Sequence, residues 1–586
     1  MSLLVVVLIS AGCVGAAYLA YGPILARWLQ LDNSRPVPSA TLRDDVDFVP
    51  TEPNLLLSQH FSAIAAAGPI VGPIIAGYLF GWLPALLWIL VGSIFIGGVH
   101  DMTALVASIR HKARSIAEVV REHMNHRSYL LFLAFVWIAL VYIIVAFTDV
   151  TAGAFYGKQT LENGEIVSGG GIATSSLLYL ALPIVMGLLL KSGVIGINLA
   201  TAIFLPLVGV SIVVGQWMPL DIEGWLQVDA AGAKRFWNIA LLVYCVVASV
   251  LPMWLLLQPR GHLGGYFLYA ALLAGAIGVM FGGFTSQYPA WTGKPLIAFD
   301  ATSIAVFPML FITIACGACS GFHSIIASGT TSKQLRCETD AKPIAYGAML
   351  LEALVAVISL CCLMKLAPDS PLLASKSPQP NLIYAQGLGS FVTILGVPAT
   401  VGVSFGLMAF TTFVYDTLDV CTRLGRYILQ ELTGLHGQVG RWLGTILTAA
   451  VPMIFLIWEP VNAKGEPAWK TYWNLFGASN QLLAALTLVG VTVWLWRTYR
   501  GVWVFLAVGV PGVFMWVMSM WALLRSVWPL VQTIQAGNFA AETAFGNPVN
   551  WVATILSVLG AWIFLEAILA LAGNDPKAAE PRVALA

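Results

Sequence analysis

Charged residues are scarce in this sequence. Asp, Glu, Lys and Arg together make up 10% of the 586 residues, whereas soluble domains carry roughly 25%. The formal net charge of +1, without any block of Lys and Arg, gives no indication of a nucleic-acid partner. A Gly-x-x-x-x-Gly-Lys-Ser/Thr motif is also absent, so nothing points to ATP hydrolysis by this chain. The composition excludes a soluble enzyme.

Cysteine is scarce as well. The eight Cys residues lie mostly in apolar segments, where a thiol behaves as a small hydrophobic group, and their spacing suggests no disulfide framework. Cys316 and Cys319 form a Cys-x-x-Cys motif ahead of His323. A single motif of this kind is weak, because Gly-Ala-Cys-Ser-Gly is ordinary composition for close-packed membrane helices. We therefore expect no metal site, no cofactor and no catalytic residues.

Apolar segments are what the sequence has in abundance. Hydrophobic residues make up 59% of the chain, the mean hydropathy is +0.85, and apolar runs of about 20 residues recur along its length. A β-barrel would instead show short alternating segments. We predict an all-α polytopic protein of the lipid bilayer with about fifteen transmembrane helices, the first of which is retained rather than cleaved as a signal peptide.

Lys and Arg distinguish the two sides of the membrane. If the predicted segments are taken in order, 20 of the 29 Lys and Arg lie on one side. The positive-inside rule assigns this side to the cytoplasm, which puts the N-terminus outside and the C-terminus inside. The predicted cytoplasmic connections are 110–127, 258–262, 332–342, 422–426 and 497–500.

The second apolar segment carries two signals for a broken helix. Gly68-Pro69 and Gly72-Pro73 follow His60 in the stretch SQHFSAIAAAGPIVGPIIAG. Each Pro lacks an N–H and disrupts the hydrogen bond to the carbonyl four residues earlier. Irregular backbone at membrane depth is tolerated only where it is buried in protein or lines a cavity. We predict an unwound, cavity-lining segment here, and a simple Pro kink is the alternative.

Ionisable residues inside apolar segments are further functional candidates, because their insertion costs about 2.5 to 3.5 kcal/mol each. The third segment carries His100 and Asp101, and the tenth carries Glu352. The ninth carries His323 beside a run of small residues that also predicts a break. The alternatives are histidines held only by packing and an acid paired with a neighbouring Lys or Arg.

Polar groups also occur in the eleventh and thirteenth segments. Asp416, Asp419 and Arg423 share a helical face, which allows Asp419 to pair with Arg423. A solvated salt-bridge face at the membrane surface is the ordinary interpretation of such a cluster. Asn480 and Gln481 lie within the thirteenth apolar segment, where they would be buried.

Six blocks follow one another between about residues 54 and 485. They are NLLLSQHFSAIAAAGPIVGPIIA, GWLPALLWILVGSIFIGGVHD, LPMWLLLQPR, FPMLFITIACGACSGFHSIIASGTTSKQL, TTFVYDTLDVCTRLGRYILQE and LFGASNQLLAAL. Together they resemble the carbon starvation protein A (CstA) family of bacterial inner-membrane transporters. The resemblance implies uptake of nutrients when preferred carbon runs out, with peptides or pyruvate as substrates and with coupling to protons favoured over Na⁺.

The resemblance also implies an inverted-repeat, LeuT-like fold, in which two broken helices of opposite direction enclose the substrate at mid-membrane. The second segment runs from inside to outside and the ninth from outside to inside, as this fold requires. We expect an N-terminal extra helix, a five-helix repeat, an inserted helix pair, a second five-helix repeat and C-terminal helices with a short tail, at 1–53, 54–236, 237–301, 302–500 and 501–586.

The sequence thus predicts a secondary active transporter of the bacterial inner membrane that imports a small carboxylate or a short peptide. A nutrient sensor without translocation is the alternative. A membrane-embedded hydrolase lacks a recognisable triad or di-metal spacing. The expected substrate-binding residues are His60, Gly68, Pro69, Gly72, Pro73, Ser320, His323, Ser324, Asn480 and Gln481. The expected coupling residues are His100, Asp101, Glu352, Asp416 and Asp419.

Overall fold

A computed structural model describes residues 1–44, 48–160, 166–298, 303–374, 379–435, 437–458, 468–540 and 542–573. These residues form helices almost throughout, as the apolar periodicity predicts. The one hairpin among them pairs β1 (Lys158–Thr160) with β2 (Ile166–Ser168) in antiparallel register.

Helices of very different lengths follow one another along the chain. They are α1 (Leu3–Trp28), α2 (Pro38–Thr41), α3 (Pro53–Ile64), α4 (Gly68–Phe80), α5 (Trp82–Gly92), α6 (Gly98–Arg110), α7 (Ile116–His123), α8 (His126–Ala152), α9 (Gly169–Lys191), α10 (Ile197–Trp217), α11 (Ile222–Leu226), α12 (Ala230–Val250), α13 (Leu257–Phe281), α14 (Val306–Thr313), α15 (Gly321–Gly329), α16 (Ala348–Met364), α17 (Pro371–Ala374), α18 (Pro380–Val392), α19 (Ala399–Thr433), α20 (Gly437–Trp458), α21 (Ala468–Tyr499), α22 (Val502–Val504), α23 (Val510–Gln535) and α24 (Pro548–Ala572).

Three π-helical turns interrupt longer helices, at Ser93–Gly97, Lys342–Gly347 and Phe505–Gly509. With these turns included, thirteen helices in the described part of the chain have the length and hydropathy to cross a bilayer. The bent pair α3 and α4 adds one more candidate. The protein is therefore an all-α, multi-pass membrane protein, and the count of about fifteen crossings stays a prediction.

The second predicted segment is broken, but ahead of the Gly-Pro pairs. Helix α3 ends at Ile64, α4 begins at Gly68, and the two axes differ by 45°. Pro69 lies in the first turn of α4 and Pro73 lies inside it. A Pro in the first helical turn loses no hydrogen bond, because the N–H groups there have no partner within the helix. The predicted unwinding over 68–73 is therefore wrong in position, and residues 65–67 form the break.

The ninth predicted segment is broken as well. Helices α14 and α15 contain eight and nine residues, each too short to cross a bilayer, which takes about 20 residues. The backbone from 314 to 320 connects them without forming a helix. This segment is rich in small residues, which permits close approach by neighbouring helices.

The two breaks contact each other directly. A Cβ atom on Gly68 would overlap with Cβ and Sγ of Cys316, and one on Gly72 would lie 2.6 Å from the carbonyl oxygen of Thr313. Around them, α8, α16, α19 and α21 form the centre of the bundle, with 72%, 83%, 89% and 100% of their apolar windows buried. Only 28% of the apolar window is buried in each of α1, α10 and α24, so these three helices are peripheral.

Candidate functional site

Two histidines and two carboxylates meet beside the break between α14 and α15. Nδ1 of His100 donates to Oδ1 of Asp101 at 2.7 Å, and Nδ1 of His323 donates to Oδ2 of the same carboxylate at 2.8 Å. Nε2 of His323 lies 3.2 Å from Oε2 of Glu352. All four side chains are fully buried. The structure therefore joins four residues that the sequence analysis selected separately.

Local backbone irregularities position this His–carboxylate cluster. His100 and Asp101 lie in the first turn of α6, directly after the π-helical turn Ser93–Gly97; such turns are frequent at functional sites. A Cβ atom on Gly97 would overlap with the carbonyl of Ala318, so this glycine permits contact between the start of α6 and the break. His323 lies in the first turn of α15.

The short distance between His323 and Glu352 implies a proton on one of these two groups. A carboxylate can only accept hydrogen bonds, so Nδ1 of His323 carries a hydrogen towards Asp101. If Nε2 and Glu352 were both deprotonated, a nitrogen lone pair and an anionic oxygen would face each other at 3.2 Å in a dry interior. One proton on either partner removes this repulsion. The imidazole of His323 meets the Glu352 carboxylate at an oblique angle, so neither Nε2 nor the carboxylate oxygens complete a hydrogen bond in this conformation.

His60 is separate from the cluster, on α3. Its Nδ1 lies 2.8 Å from the hydroxyl oxygen of Thr331, while its buried Nε2 has no hydrogen-bond partner among the described residues. His60 lines a small cavity of about 30 Å³ together with Gln59, Arg260 and Asp416. A cavity of this size holds about one water molecule, so a larger ligand would need the surrounding helices to move apart.

Arg260 is the centre of a second buried ionic group, which the sequence analysis missed. Its Nε donates to Oδ1 of Asp416, and its Nη1 donates to Oδ2 of Asp419 and to the hydroxyl of Tyr244. The hydroxyl of Ser62 donates to Oδ2 of Asp416. We call these five residues the Arg260 cluster. It joins α3, α12, α13 and α19.

The sequence-based interpretation of this region is wrong in two respects. Residues 258–262 do not form a connecting loop but lie in the first turns of α13, where Arg260 is 0% exposed. Asp416 and Asp419 are each 2% exposed, which rules out a solvated face. One sequence signal could have indicated this helix. In the block LPMWLLLQPR, Pro259 is compatible with the first turn of a helix, and Arg260 follows it directly.

Arg423 does not pair with Asp419. It donates to the carbonyls of Ala248 and Leu251 at 2.8 and 2.7 Å, and Arg426 donates to the carbonyl of Ser249 at 2.8 Å. These carbonyls lie at the C-terminal end of α12, where carbonyl groups lack partners within the helix. Asp419 pairs instead with Arg260 on α13.

Asn480 and Gln481 hold the broken helix together. Oδ1 of Asn480 accepts the backbone N–H of Phe322 at 2.9 Å, at the start of α15. Nε2 of Gln481 donates to the carbonyls of Phe311, Ile314 and Ala315 at 3.2 to 3.4 Å, at the end of α14. Both side chains thus satisfy backbone groups that a break in a membrane would otherwise leave without partners.

Two predicted serines have local partners. Ser320 exchanges hydrogen bonds with the amide of Asn480 at 3.0 and 3.3 Å. Ser324 donates to the carbonyl of Gly321 at 2.7 Å and lies 3.1 Å from the hydroxyl of Thr487. Like Asn480 and Gln481, they have contacts within the protein that a substrate would have to replace, and their role in binding stays a prediction.

The Gly-Pro pairs lie in helix packing rather than at an open cavity. We expect Gly68→Ala to destabilise the protein by about 1 to 3 kcal/mol, the usual cost of overpacking, because the new methyl group overlaps with Cys316. The measurement is the apparent Tm of the purified protein in detergent.

Two matched variants test the cause. Adding Cys316→Gly to Gly68→Ala removes the overlapping atoms and is expected to restore most of the loss. Gly12→Ala, in α1 with nothing within 4 Å of the new Cβ, is expected to be neutral or slightly stabilising. If Gly68→Ala behaves like Gly12→Ala, the described contact between the breaks is wrong.

A larger cavity of about 560 Å³ lies beside α15, on the side away from the small cavity at His60. Its lining carries charges of both signs, from Lys112, Arg114, Arg121 and Lys333 and from Glu118 and Glu431. Ile325, Ser328 and Gly329 of α15 form part of its wall. A cavity of this volume is large enough for a small organic ligand, and it begins within one turn of His323.

Comparison with known proteins agrees with the sequence motifs. The family described as carbon starvation protein CstA matches residues 2–380 and 372–522. The peptide transporter CstA of Bacillus subtilis is 31% identical over 537 residues, which cover 83% of this chain and 85% of the relative. The pyruvate/proton symporter BtsT of Escherichia coli is 30% identical over an alignment of 603 positions, which covers 89% of this chain and 81% of the relative.

Solved structures give a weaker likeness. The crystal structure of a manganese transporter of Eremococcus coleocola has a TM-score of 0.45 and 14% sequence identity, covering 91% of this chain and 99% of that chain.

Proposed function

Because the chain belongs to the carbon starvation protein CstA family, we propose that it is a secondary active transporter which imports a small carboxylate such as pyruvate, or a short peptide, together with protons. The relatives are named as transporters, and this supports a transporter over an enzyme or a sensor. The buried approach of Nε2 of His323 to a carboxylate oxygen of Glu352, at 3.2 Å, is the observation that carries the proposal of proton coupling.

Protons fit the His–carboxylate cluster better than Na⁺ does. A hard cation needs several oxygen ligands at once. Here both oxygens of Asp101 accept from imidazole N–H groups, and the Glu352 carboxylate faces an imidazole nitrogen. Imidazole and carboxylate groups exchange protons, and histidine does so near neutral pH.

The substrate site is proposed at the small cavity between α3, α13, α15 and α19. Arg260 offers donors for a carboxylate there, and the unpartnered Nε2 of His60 offers another in the tautomer in which Thr331 donates to Nδ1. The close contact between the two breaks argues against a ligand lying between Gly68, Gly72 and Thr313 in this conformation. The larger cavity on the other side of α15 would then be the route to the cytoplasm.

The membrane orientation remains as predicted from Lys and Arg, with the N-terminus outside, the C-terminus inside and the protein in the bacterial inner membrane. Contacts of Glu338 support a common side for the predicted cytoplasmic connections 110–127 and 332–342 and for the stretch after α1. Glu338 lies 2.7 Å from Nε of Arg110 and 3.1 Å from Nη1 of Arg35, and its carboxylate also accepts the backbone N–H of Asp32 at 2.8 Å.

The helix packing supports two inverted repeats with a different inserted pair from the one expected. Broken helices α3/α4 and α14/α15 correspond, and each is followed by a helix with a π-helical turn. The next equivalent helices are α8 and α19, followed by α12 and α20, and the two members of each pair contact each other. Helix α13 packs on α3 as α21 packs on α15. This assignment leaves α9 and α10, rather than α12 and α13, as the insertion.

Transport into proteoliposomes tests the function. We expect labelled pyruvate, another small carboxylate or a di- or tripeptide to accumulate when the outside is made acidic, by about tenfold per pH unit for one coupled proton. A Na⁺ gradient without a pH gradient is expected to have no effect. Accumulation driven by Na⁺ alone would contradict proton coupling, and no accumulation of any compound under either gradient would contradict the transporter and favour the sensor.

A further inference from the structure

Two histidines outside the membrane-spanning helices face each other with their ring nitrogens. His111 directly follows α6 and His123 ends α7. Their Nε2 atoms are 2.9 Å apart, and the two rings are perpendicular with centroids 5.1 Å apart. The residues are separated by 11 others along the chain, so the sequence alone gave no reason to pair them.

The tautomer of His111 suits metal binding. Its Nδ1 lies 2.6 Å from the carbonyl oxygen of Ala107 and donates to it, so its Nε2 keeps a lone pair when the ring is neutral. A hydrogen bond from the second ring nitrogen to a backbone carbonyl is the usual orienting contact of a metal-binding histidine. At present a single hydrogen between the two Nε2 atoms can satisfy both rings.

A carboxylate completes the group. Glu122, next to His123 on α7, is exposed and able to turn, and one of its oxygens lies within 4.8 Å of a ring nitrogen of each histidine. In the described part of the chain, this is the one group of three or more His, Cys, Asp or Glu residues whose ligand atoms lie that close together. Two imidazoles and one carboxylate form a set of ligands found in open zinc sites.

We propose that His111, His123 and Glu122 bind a divalent transition-metal ion, Zn²⁺ above all, with water as the fourth ligand. The ion takes the place of the hydrogen that the two Nε2 atoms share, and this hydrogen leaves to solvent. With Zn–N bonds of about 2.0 to 2.1 Å, the present separation gives an N–Zn–N angle of about 90°. A few tenths of an ångström of further separation would make the angle tetrahedral.

The position of the site suggests what the ion does. It would join the end of α6, the helix that carries Asp101, to the end of α7. Helix α7 lines the larger cavity with Ile116, Glu118 and Arg121. A bound ion therefore holds α7 against α6, and we expect slower hydrogen exchange in residues 116–124 when it is present.

The test uses the full-length protein, purified without a His tag and freed of metal by a chelator. Calorimetry with Zn²⁺ is expected to give one site per chain, and Co²⁺ is expected to give the visible absorption of a tetrahedral complex. His111→Ala and His123→Ala should each weaken binding by more than about tenfold, and Glu122→Gln should weaken it less. His126→Ala, at an exposed histidine of the same region, should bind as the wild type does.

Folding is checked with a conservative variant. His123→Cys retains a zinc ligand and should keep the site, with the intense charge-transfer absorption of a Co²⁺–thiolate bond. Unchanged binding in both His111→Ala and His123→Ala would overturn the proposal, as would the absence of stoichiometric binding in the wild type. A site lost in His126→Ala would also contradict it. None of these results depends on transport activity.

Discussion

Glu352→Gln is expected to abolish accumulation driven by a pH gradient while exchange of substrate across the membrane continues. Glutamine has the size of glutamate, and its amide donates permanently to Nε2 of His323, so the pair no longer has a proton to release. A wild-type protein that couples one proton reaches about tenfold accumulation per pH unit. The variant should reach equal concentrations on both sides. Uptake under a gradient and counterflow without one are the two measurements.

Asp101→Asn is expected to give the same result for a different reason. Asp101 accepts from both His100 and His323, and its negative charge favours the form of His323 that donates from Nδ1. An amide in its place removes this charge. Glu566→Gln is the matched control. Glu566 also lies in an apolar helix, but its carboxylate accepts hydrogen bonds from Asn125 and Trp562 and faces no histidine of the cluster. Normal accumulation by Glu352→Gln or Asp101→Asn would refute the coupling role of that residue.

Arg260→Met is expected to cause the largest loss of stability. It leaves Asp416 and Asp419 buried in the same cluster without their cation, and removal of one partner from a buried ion pair costs about 3 to 5 kcal/mol. The triple variant with Asp416→Asn and Asp419→Asn as well should recover most of this loss, because its groups are all uncharged. The apparent Tm in detergent measures both effects.

Arg121→Met is the matched control for Arg260→Met. The side chain of Arg121 is 48% exposed and pairs with Glu118 at 3.2 Å, and exposed pairs of this kind contribute up to about 1 kcal/mol. We expect a correspondingly small change in apparent Tm. If Arg260→Met were as stable as Arg121→Met, or if the triple variant were no better than Arg260→Met, the account of the Arg260 cluster would fail.

Several candidate residues were recognisable without any structure. His60, His100, Asp101, His323 and Glu352 each stand out because an ionisable side chain in an apolar segment is costly. The two broken segments were recognisable too, from Gly-Pro pairs and from a run of small residues. The contact between the two broken segments could not be predicted from the sequence. Hydropathy identifies each helix, but it does not show which helices, far apart in sequence, pack against each other.

The remaining misassignments have the same origin. Spacing on one helix suggested that Asp419 pairs with Arg423, yet Asp419 contacts Arg260 on another helix. The Gly-Pro pairs marked the right segment but the wrong residues, because Pro69 lies in the first turn of α4, after the break. Residue spacing and proline rules describe a single helix, whereas the partner of Asp419 depends on which helices pack around it.

By itself, the sequence determined a multi-pass helical protein of the CstA family and the small set of buried polar residues available for function. These follow from the cost of placing charges in a bilayer, which depends on composition and order alone. Only the tertiary structure decided which of those residues share protons and charges. His323 meets Asp101 and Glu352 because the broken helix α14/α15 places it beside α6 and α16. Arg260, which the sequence placed in a loop, meets Asp416 and Asp419 because α13 packs on α19.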